Sequence, residues 1–553
     1  MVVNSYSFDL RWRSIADAFW GAYRNPISSL YVFSLRSVLS RLVRFLTDFP
    51  MTTEVEMKFF VSRDLDADLE RWLSRQTVQS SSDAQLGNIY YDTDDRLLRS
   101  WQCGLRIRSQ NGQREQTIKC GGQAVAGLHQ RPEYTTAVGG EWPELGAFPA
   151  TIWPAGTDLG QLQAALRPQF RTDFRRQAWR ISPAAGSVIE WAYDRGIIAA
   201  NGRELPISEL ELEVVSGDAV HLFALARELV ALGGLRLGSQ SKEQRGYRLA
   251  GLTPEPEVRR MGFVAVTPQM SAAEALQAVF GFALEQWQYH EQLLLEQPSL
   301  AALTQLRNGV ALLQQTQLFF ADLLVELAPR HWQDELGWLE QQLGWLDEAQ
   351  ALERLTAERG HYLRNLQGHA AVLAALQARQ QALPTLASMQ QLCQSERYTH
   401  LLLDISHWLW ALQQQALPAR ALQPLPELAC QVLEESWQEL HGPELAVPHL
   451  DDDSYLMLVG KLRRNLLAGV SFAALFDAEQ QQGFRLPWLN LLRRMEELEH
   501  FAVLDQLSAS LPTKVRLELG EWLTERIAPR LVELDQARLQ ALDMVPYWRE
   551  SEI

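Results

Sequence analysis

The residues best suited to chemistry in this chain stand two apart. In "MTTEVEMKFF" (51–60), Glu54, Glu56 and Lys58 alternate with Val55, Met57 and Phe59, and in "SELELEV" Glu209, Glu211 and Glu213 alternate with Leu210, Leu212 and Val214. Arg106 and Arg108 in "LRIR", Thr117 and Lys119 in "TIK", Arg131 and Glu133 in "RPE", and Glu190 and Asp194 in "EWAYD" keep the same period. Successive side chains of a strand point to opposite faces, so each of these strands is charged on one side and apolar on the other. One such strand alone is most simply a solvated sheet edge. Here some faces are nearly pure acid and others nearly pure base. Carboxylates at this spacing repel one another, and neither water nor a core rewards that. Mg2+ and Mn2+ favour carboxylate oxygens, whereas Arg and Lys match phosphate oxygens. The pattern suits a metal complex of a condensed phosphate. A sheet closed with its charges inward would form a polar lumen, its apolar outside covered by helices.

The elements that must position these residues are legible over 51–250. Asn111-Gly112 and Asn201-Gly202 predict hairpin turns, and "DLDADLERWLSRQ" and "AVHLFALARELVALG" favour helices. "GLRLGS" (234–239) lacks the Gly-Lys-Ser/Thr element of a P-loop and reads as a turn. A proline-bearing linker follows over 253–265. Ser271 and Glu274 have the form of a capping box opening a helix. From 266 to 553 the chain is rich in Leu, Ala and Gln at helical spacing, with breaks expected near Pro298, Pro329, Pro384, Pro418, Pro424, Pro443, Pro487 and Pro512. The fold class is therefore α+β with an all-α second half.

The 553 residues predict several domains. A formal charge of −16 argues against nucleic acid as a general partner. The excess acid lies in residues 261–553, with 20 Lys and Arg against 37 Asp and Glu. No apolar run is long enough to span a membrane. Cys103, Cys120, Cys393 and Cys430 form no CxxC, which suggests neither zinc nor a disulfide framework and points to a reducing cytoplasm. Residues 1–50, with six arginines and no lysine, make a poor signal peptide. Two readings remain, a basic amphipathic surface helix or an over-extended start with Met51 as the true first residue, and the second is favoured.

In order along 51–250, the ExExK (Glu54, Glu56, Lys58), LRxR, TxK, RxE, DxG (Asp194, Gly196), ExExE and "SK" (Ser241, Lys242) motifs resemble those of the CYTH superfamily, the triphosphate tunnel metalloenzymes. The helical half resembles a CHAD domain, and the order of the two resembles bacterial inorganic triphosphatases. The resemblance implies an eight-stranded antiparallel tunnel over 51–252 that hydrolyses inorganic triphosphate to pyrophosphate and phosphate with Mg2+ or Mn2+. It implies Glu54, Glu56, Glu211 and Glu213 as metal ligands, with Glu54, Glu56 and Lys58 forming the catalytic set. Lys58, Arg106, Arg108, Lys119, Arg131, Arg176 and Lys242 fall to the phosphate oxygens, and Glu133, Glu190, Asp194 and Glu209 to supporting roles. Arg245 is a weaker tunnel candidate than Arg176, its plainer reading being a surface charge, and His129, beside Arg131, reads as a solvent-facing loop residue rather than one at the tunnel mouth; the other histidines are scattered without metal spacing.

Rival readings are an organic-triphosphate hydrolase, a class IV adenylate cyclase, or a non-enzymatic polyphosphate-binding scaffold. CHAD domains are associated with histidines among basic helices and with polyphosphate. Here Thr304 precedes "QLR", and Val459 or Gly460 stands where the other histidine belongs, before "KLRR". The acidic helical half is accordingly expected to bind polyphosphate weakly or not at all.

Overall fold

A computed structural model describes residues 53–125, 128–183, 186–325, 327, 330–360, 363–442, 447 and 449–550; the readings of residues 1–50 and of Pro329 and Pro443 lie outside the described residues. The side chains of Glu54 and Arg131 also lie outside them, although their backbone is in strands.

Among the described residues ten strands form one antiparallel sheet: β1 (Thr53–Val61), β2 (Val78–Thr93), β3 (Cys103–Gln110), β4 (Gln113–Cys120), β5 (Gln123–Val125), β6 (Leu128–Ala137), β7 (Leu166–Ile181), β8 (Val188–Ala200), β9 (Arg203–Ser216) and β10 (Leu235–Leu237). Eight of them close on themselves. The order runs β1-β9-β8-β7-β2-β3-β4-β6, and β6 returns to pair with β1, Glu54 opposite Arg131 and Glu56 opposite His129. This is the antiparallel tunnel expected from the alternating charge. Asn111 (φ 50°) and Gly112 (φ 79°) close the β3–β4 hairpin, and Asn201 (φ 51°) and Gly202 (φ 74°) close β8–β9. Two successive left-handed residues match the twist of the flanking strands, and Asn and Gly tolerate that conformation best.

The apolar faces turn outward into a core. Met57, Phe59, Leu210, Leu212 and Trp191 are fully buried against the helices Asp66–Leu73 and Val220–Val230. Trp72 donates to Glu228 across those two helices at 3.0 Å. The same core continues without a break into the helical half, which opens with Ala272–Glu296, capped by Ser271 and Glu274 as expected. It continues through Leu300–Phe319, Gln333–Leu343, Leu346–Gly360, His369–Ala382, Glu396–Gln414, Leu425–Leu440, Asp452–Phe472, Ala478–Ser508 and Thr513–Leu542. No helix among the described residues is long and apolar enough to cross a membrane.

Several local expectations are corrected. Leu235–Leu237 within "GLRLGS" is not a turn; it pairs as β10 with Phe59–Val61 of β1. Pro487 does not break a helix but lies inside Ala478–Ser508, as Pro529 lies inside Thr513–Leu542. In each case tertiary packing outweighs a lost backbone hydrogen bond. Cys103 and Cys120 face each other across β3 and β4 and are joined in a disulfide. They stand 17 positions apart and equally far from the Asn111-Gly112 turn, so the hairpin register brings them opposite each other, and the cysteine argument for a reducing compartment no longer holds.

Candidate active site

The closed sheet encloses a cavity of about 730 Å³. Glu56, Lys58, Arg106, Arg108, Lys119, Glu133, Arg176, Glu190, Glu211, Glu213 and Lys242, all identified from the sequence, line it. Their strand register orders them into layers.

The first layer is acidic. Glu213 stands opposite Glu56 on one side and Glu190 on the other, so three carboxylates lie abreast on β1, β9 and β8. Burial raises the Glu213 carboxyl; Lys119 opposes this, but Glu56, Glu190 and Glu133 add to it, and the group is pushed up to about 7. Burial and Glu211 also raise Glu56, yet Lys119, Lys58 and His129 together bring it below its ordinary value. Glu190 is tied to Arg180 at 3.0 Å.

The next layer mixes signs. Lys58 stands opposite Glu211 and bonds it at 2.9 Å. Glu211 also accepts from Lys242 (2.9 Å) and Arg176 (2.6 Å). Burial would raise this carboxyl, but those three cations hold it well below the carboxylate range. Deeper still, Asp194 and Glu209 are fully buried rather than exposed to the lumen. Asp194 takes a two-pronged bond from Arg176 (2.7 and 2.6 Å) and one from Lys242 (2.8 Å), while Glu209 pairs with Lys242 (2.8 Å) and Lys58 (3.5 Å). Both carboxylates thereby hold the neighbouring cationic groups in place.

The opposite wall is basic. Arg106, opposite Thr117, reaches Glu133 only at 3.8 Å, and its buried Nε has no hydrogen-bond partner. Arg108 donates to Asn88 at 3.0 Å and reaches Glu115 only at 3.7 Å. Burial and the facing charges of Arg106 and Arg176 push Arg108 down to about 10. Lys119 pairs with Glu133 at 3.0 Å. Burial lowers Arg106, but Tyr90 and Glu133 outweigh it and hold the group above its ordinary value, so on this wall Arg108 is the guanidinium whose charge an anion would most relieve.

Two residues depart from their expected places. Of the two readings of Arg245, the surface charge is excluded: it is 7% exposed, in contact with Glu209 and set over the Phe60 ring at 5.2 Å. His129 is not in a solvent-facing loop; it lies buried in β6 with Nε2 against the Gly238 carbonyl at 3.2 Å. Arg176, rather than its neighbour Arg175, enters the lumen, since Arg175 pairs outside with Asp83. Sequence reasoning missed Tyr90, Thr135, Arg180 and Glu243 in the lining. The two-residue step Arg176–Ala178–Arg180 was the available signal for Arg180. Glu243 had none, because it sits on a helix.

The donor set suits a hard divalent cation. Glu56, Glu213 and Glu190 supply carboxylate oxygens side by side, and their mutual repulsion is what a cation would relieve. They are adjacent in register rather than converged: no group of three or more His, Cys, Asp or Glu among the described residues is gathered as a metal cage.

Residues 52–247 match the model of the CYTH domain, and residues 278–509 match that of the CHAD domain. Over 204 residues the chain is 36% identical to the inorganic triphosphatase of Haemophilus influenzae, a stretch that covers 36% of this chain and 55% of that protein. The chain thus aligns with about half the length of this curated relative. Among solved structures, the CHAD domain of the plant Ricinus communis aligns at 21% identity and TM-score 0.42, over 53% of this chain and 98% of that one. A Hippeastrum protein described as an adenylyl cyclase candidate with a dominant triphosphatase activity aligns at 14% identity and TM-score 0.25, over 37% of this chain and 98% of its own.

Proposed function

We propose that this chain, in which a CYTH domain precedes a CHAD domain, hydrolyses inorganic triphosphate to pyrophosphate and phosphate inside its tunnel. One observation carries the reading: an acidic layer and a wall of incompletely paired arginines face each other within one closed sheet. A condensed phosphate with its metal is the ligand class that complements both.

In this reading Arg106, Arg108, Lys119 and Arg176 bind phosphate oxygens from one side, and Lys58 and Lys242 from the other; Arg131 belongs with them by its place on β6. Asp194, Glu209 and Glu133 fix the direction of these cations, so little reorganisation is needed as charge moves in the reaction. Glu56 and Glu213, with Glu54 beside them on β1, would hold Mg2+ or Mn2+. Glu211 joins them by releasing one of its three cationic partners to the incoming phosphate. The bound ion would neutralise phosphate charge and lower the pKa of a water that it holds. The chain's own contribution is to hold the terminal phosphorus in line between the acidic layer and the basic wall.

The test is a hydrolysis screen of tripolyphosphate, thiamine triphosphate and ATP with Mg2+ and with Mn2+, with phosphate and cyclic AMP both measured. Preferential phosphate release from tripolyphosphate supports the proposal. Cyclic AMP as the main product, or turnover confined to an organic triphosphate, would replace it with one of the rival readings.

A further inference from the structure

The sheet does not complete the tunnel by itself. The helix Lys242–Leu249 sends Lys242 and Arg245 beneath it, and both are more than nine-tenths buried. This floor helix packs tightly: a Cβ on Gly246 would lie 2.1 Å from the Phe170 ring, and Tyr247 donates to Asp92 at 2.8 Å. Its remaining face is held by the helical half. Arg248 makes a two-pronged pair with Glu296 at 2.7 and 2.9 Å.

Glu296 is one end of a continuous chain of hydrogen bonds. It accepts from Gln292 at 2.7 Å, and Gln292 accepts from Arg236 of β10 at 2.8 Å. Arg236 also donates to Glu291 at 2.8 Å, and Tyr398 donates to the other Glu291 oxygen at 2.9 Å. Glu291 is 1% exposed. From Arg236 the chain continues into the tunnel. Its guanidinium lies 4.8 Å over the Phe60 ring, the ring that Arg245 approaches from the floor helix, and Arg245 meets Glu209, the partner of Lys58 and Lys242.

An ordinary domain interface would be apolar at its centre with ion pairs at its rim. Beside the apolar core that the two halves share, the last two turns of Ala272–Glu296 place a buried carboxylate, Glu291, and an exposed one, Glu296, against the two elements that finish the tunnel, β10 and the floor helix. Acids at a helix C-terminus are disfavoured by the helix dipole, so these two depend on their arginine partners.

We propose that Glu291 and Glu296 of the helical domain are positioning residues for the tunnel. Through Arg236 and Arg248 they seat the floor helix so that Lys242 stands ready for substrate, and the helical domain thereby sets triphosphate affinity. The inference rests on the triphosphatase reading of the tunnel. The experiment compares full-length E296Q, R248E and the exchanged pair R248E/E296R, with Y398F as a milder change at Glu291. KM for tripolyphosphate should rise about tenfold in the single variants with kcat within about twofold, because only the binding floor is disturbed. Amide exchange over residues 242–249 should quicken, and the exchanged pair should restore both readouts. Y398F should move KM in the same direction by less. Single variants with wild-type KM and exchange, or an exchanged pair no better than either single, would overturn the proposal. A wild-type chain inert on tripolyphosphate would instead remove the functional reading, while exchange over 242–249 would still judge the seating of the helix.

Discussion

Replacing Glu213 with glutamine should stabilise the metal-free protein while abolishing its activity, two effects of opposite sign from one carboxylate. Burial and the surrounding carboxylates raise this group from its ordinary 4.5 to about 7. A carboxyl whose folded pKa is raised binds its proton more tightly in the folded state. Its charged form therefore costs nothing below about pH 4.5, costs progressively more up to about pH 7, and carries the full penalty above it. At about 1.4 kcal/mol per pH unit the full displacement is worth about 3 kcal/mol, and solvent screening of a half-buried group lowers this to about 2 kcal/mol. Glu213→Gln removes the charge at nearly constant shape. Unfolding of the chelator-treated chain should show the variant about 2 kcal/mol more stable than wild type at pH 8 and nearly equal to it at about pH 4. Saturating Mn2+ should reverse the order at pH 8, since a ligand at about 100 times its Kd adds about 2.7 kcal/mol to the protein that binds it. A variant less stable than wild type at pH 8 without metal, or one with the same gain at both pH values, would refute the account of the acidic layer.

Other changes bear on the remaining parts of the site. Glu56→Ala should lower tripolyphosphate turnover at least about 100-fold with the fold intact by circular dichroism, because it removes ligand charge rather than packing; wild-type turnover at saturating metal would remove β1 from the site. Arg106→Ala and Lys119→Ala should each lower kcat/KM by about 10- to 100-fold, the loss of one charge-assisted bond, and unchanged kcat/KM in both would move the phosphate site elsewhere. In the helical half, Arg307 is paired in two-pronged fashion with Asp347, Arg463 with Asp347, Glu496 and Glu499, and Arg464 with Glu439. A full chain carrying the Arg106→Ala tunnel substitution should therefore bind long-chain polyphosphate no tighter than about millimolar at roughly 0.15 M ionic strength. Micromolar affinity in that titration would contradict the neutralised surface.

What the sequence made legible and what it hid divide along a physical line. A strand repeats every two residues, so the inward set on β1, β3, β4, β8 and β9 could be read directly, and the hairpins at Asn111 and Asn201 fixed which strands neighbour each other. Closure follows from the same pattern: acids and bases on separate strands are tolerable only where the sheet brings them face to face. Pairing partners that depend on long-range register stayed hidden. His129 is buried because β6 returns to β1, whereas Cys103 and Cys120 follow from the register that the two-residue Asn111-Gly112 turn sets and were overlooked. Arg245 was hidden for a different reason, since one basic residue on a short polar helix looks the same in sequence whether it faces water or a carboxylate.

That last case bears on how the two halves work together. The strands carry the charges that would meet metal and phosphate, but a closed sheet leaves its ends to whatever packs there. In this chain one end is finished by Lys242 and Arg245 from a helix eight residues long, too short to hold its own shape without tertiary support. Part of that support comes from Phe170 and Asp92 within the tunnel domain, and part from Glu296 and, through Arg236 and Phe60, from Glu291. A tunnel domain taken from this chain alone would leave Arg248 and Arg236 without their carboxylates, at the two elements that finish the tunnel. The helical half thus supplies carboxylates to the two arginines behind the floor of the tunnel and not to the wall that would meet the substrate.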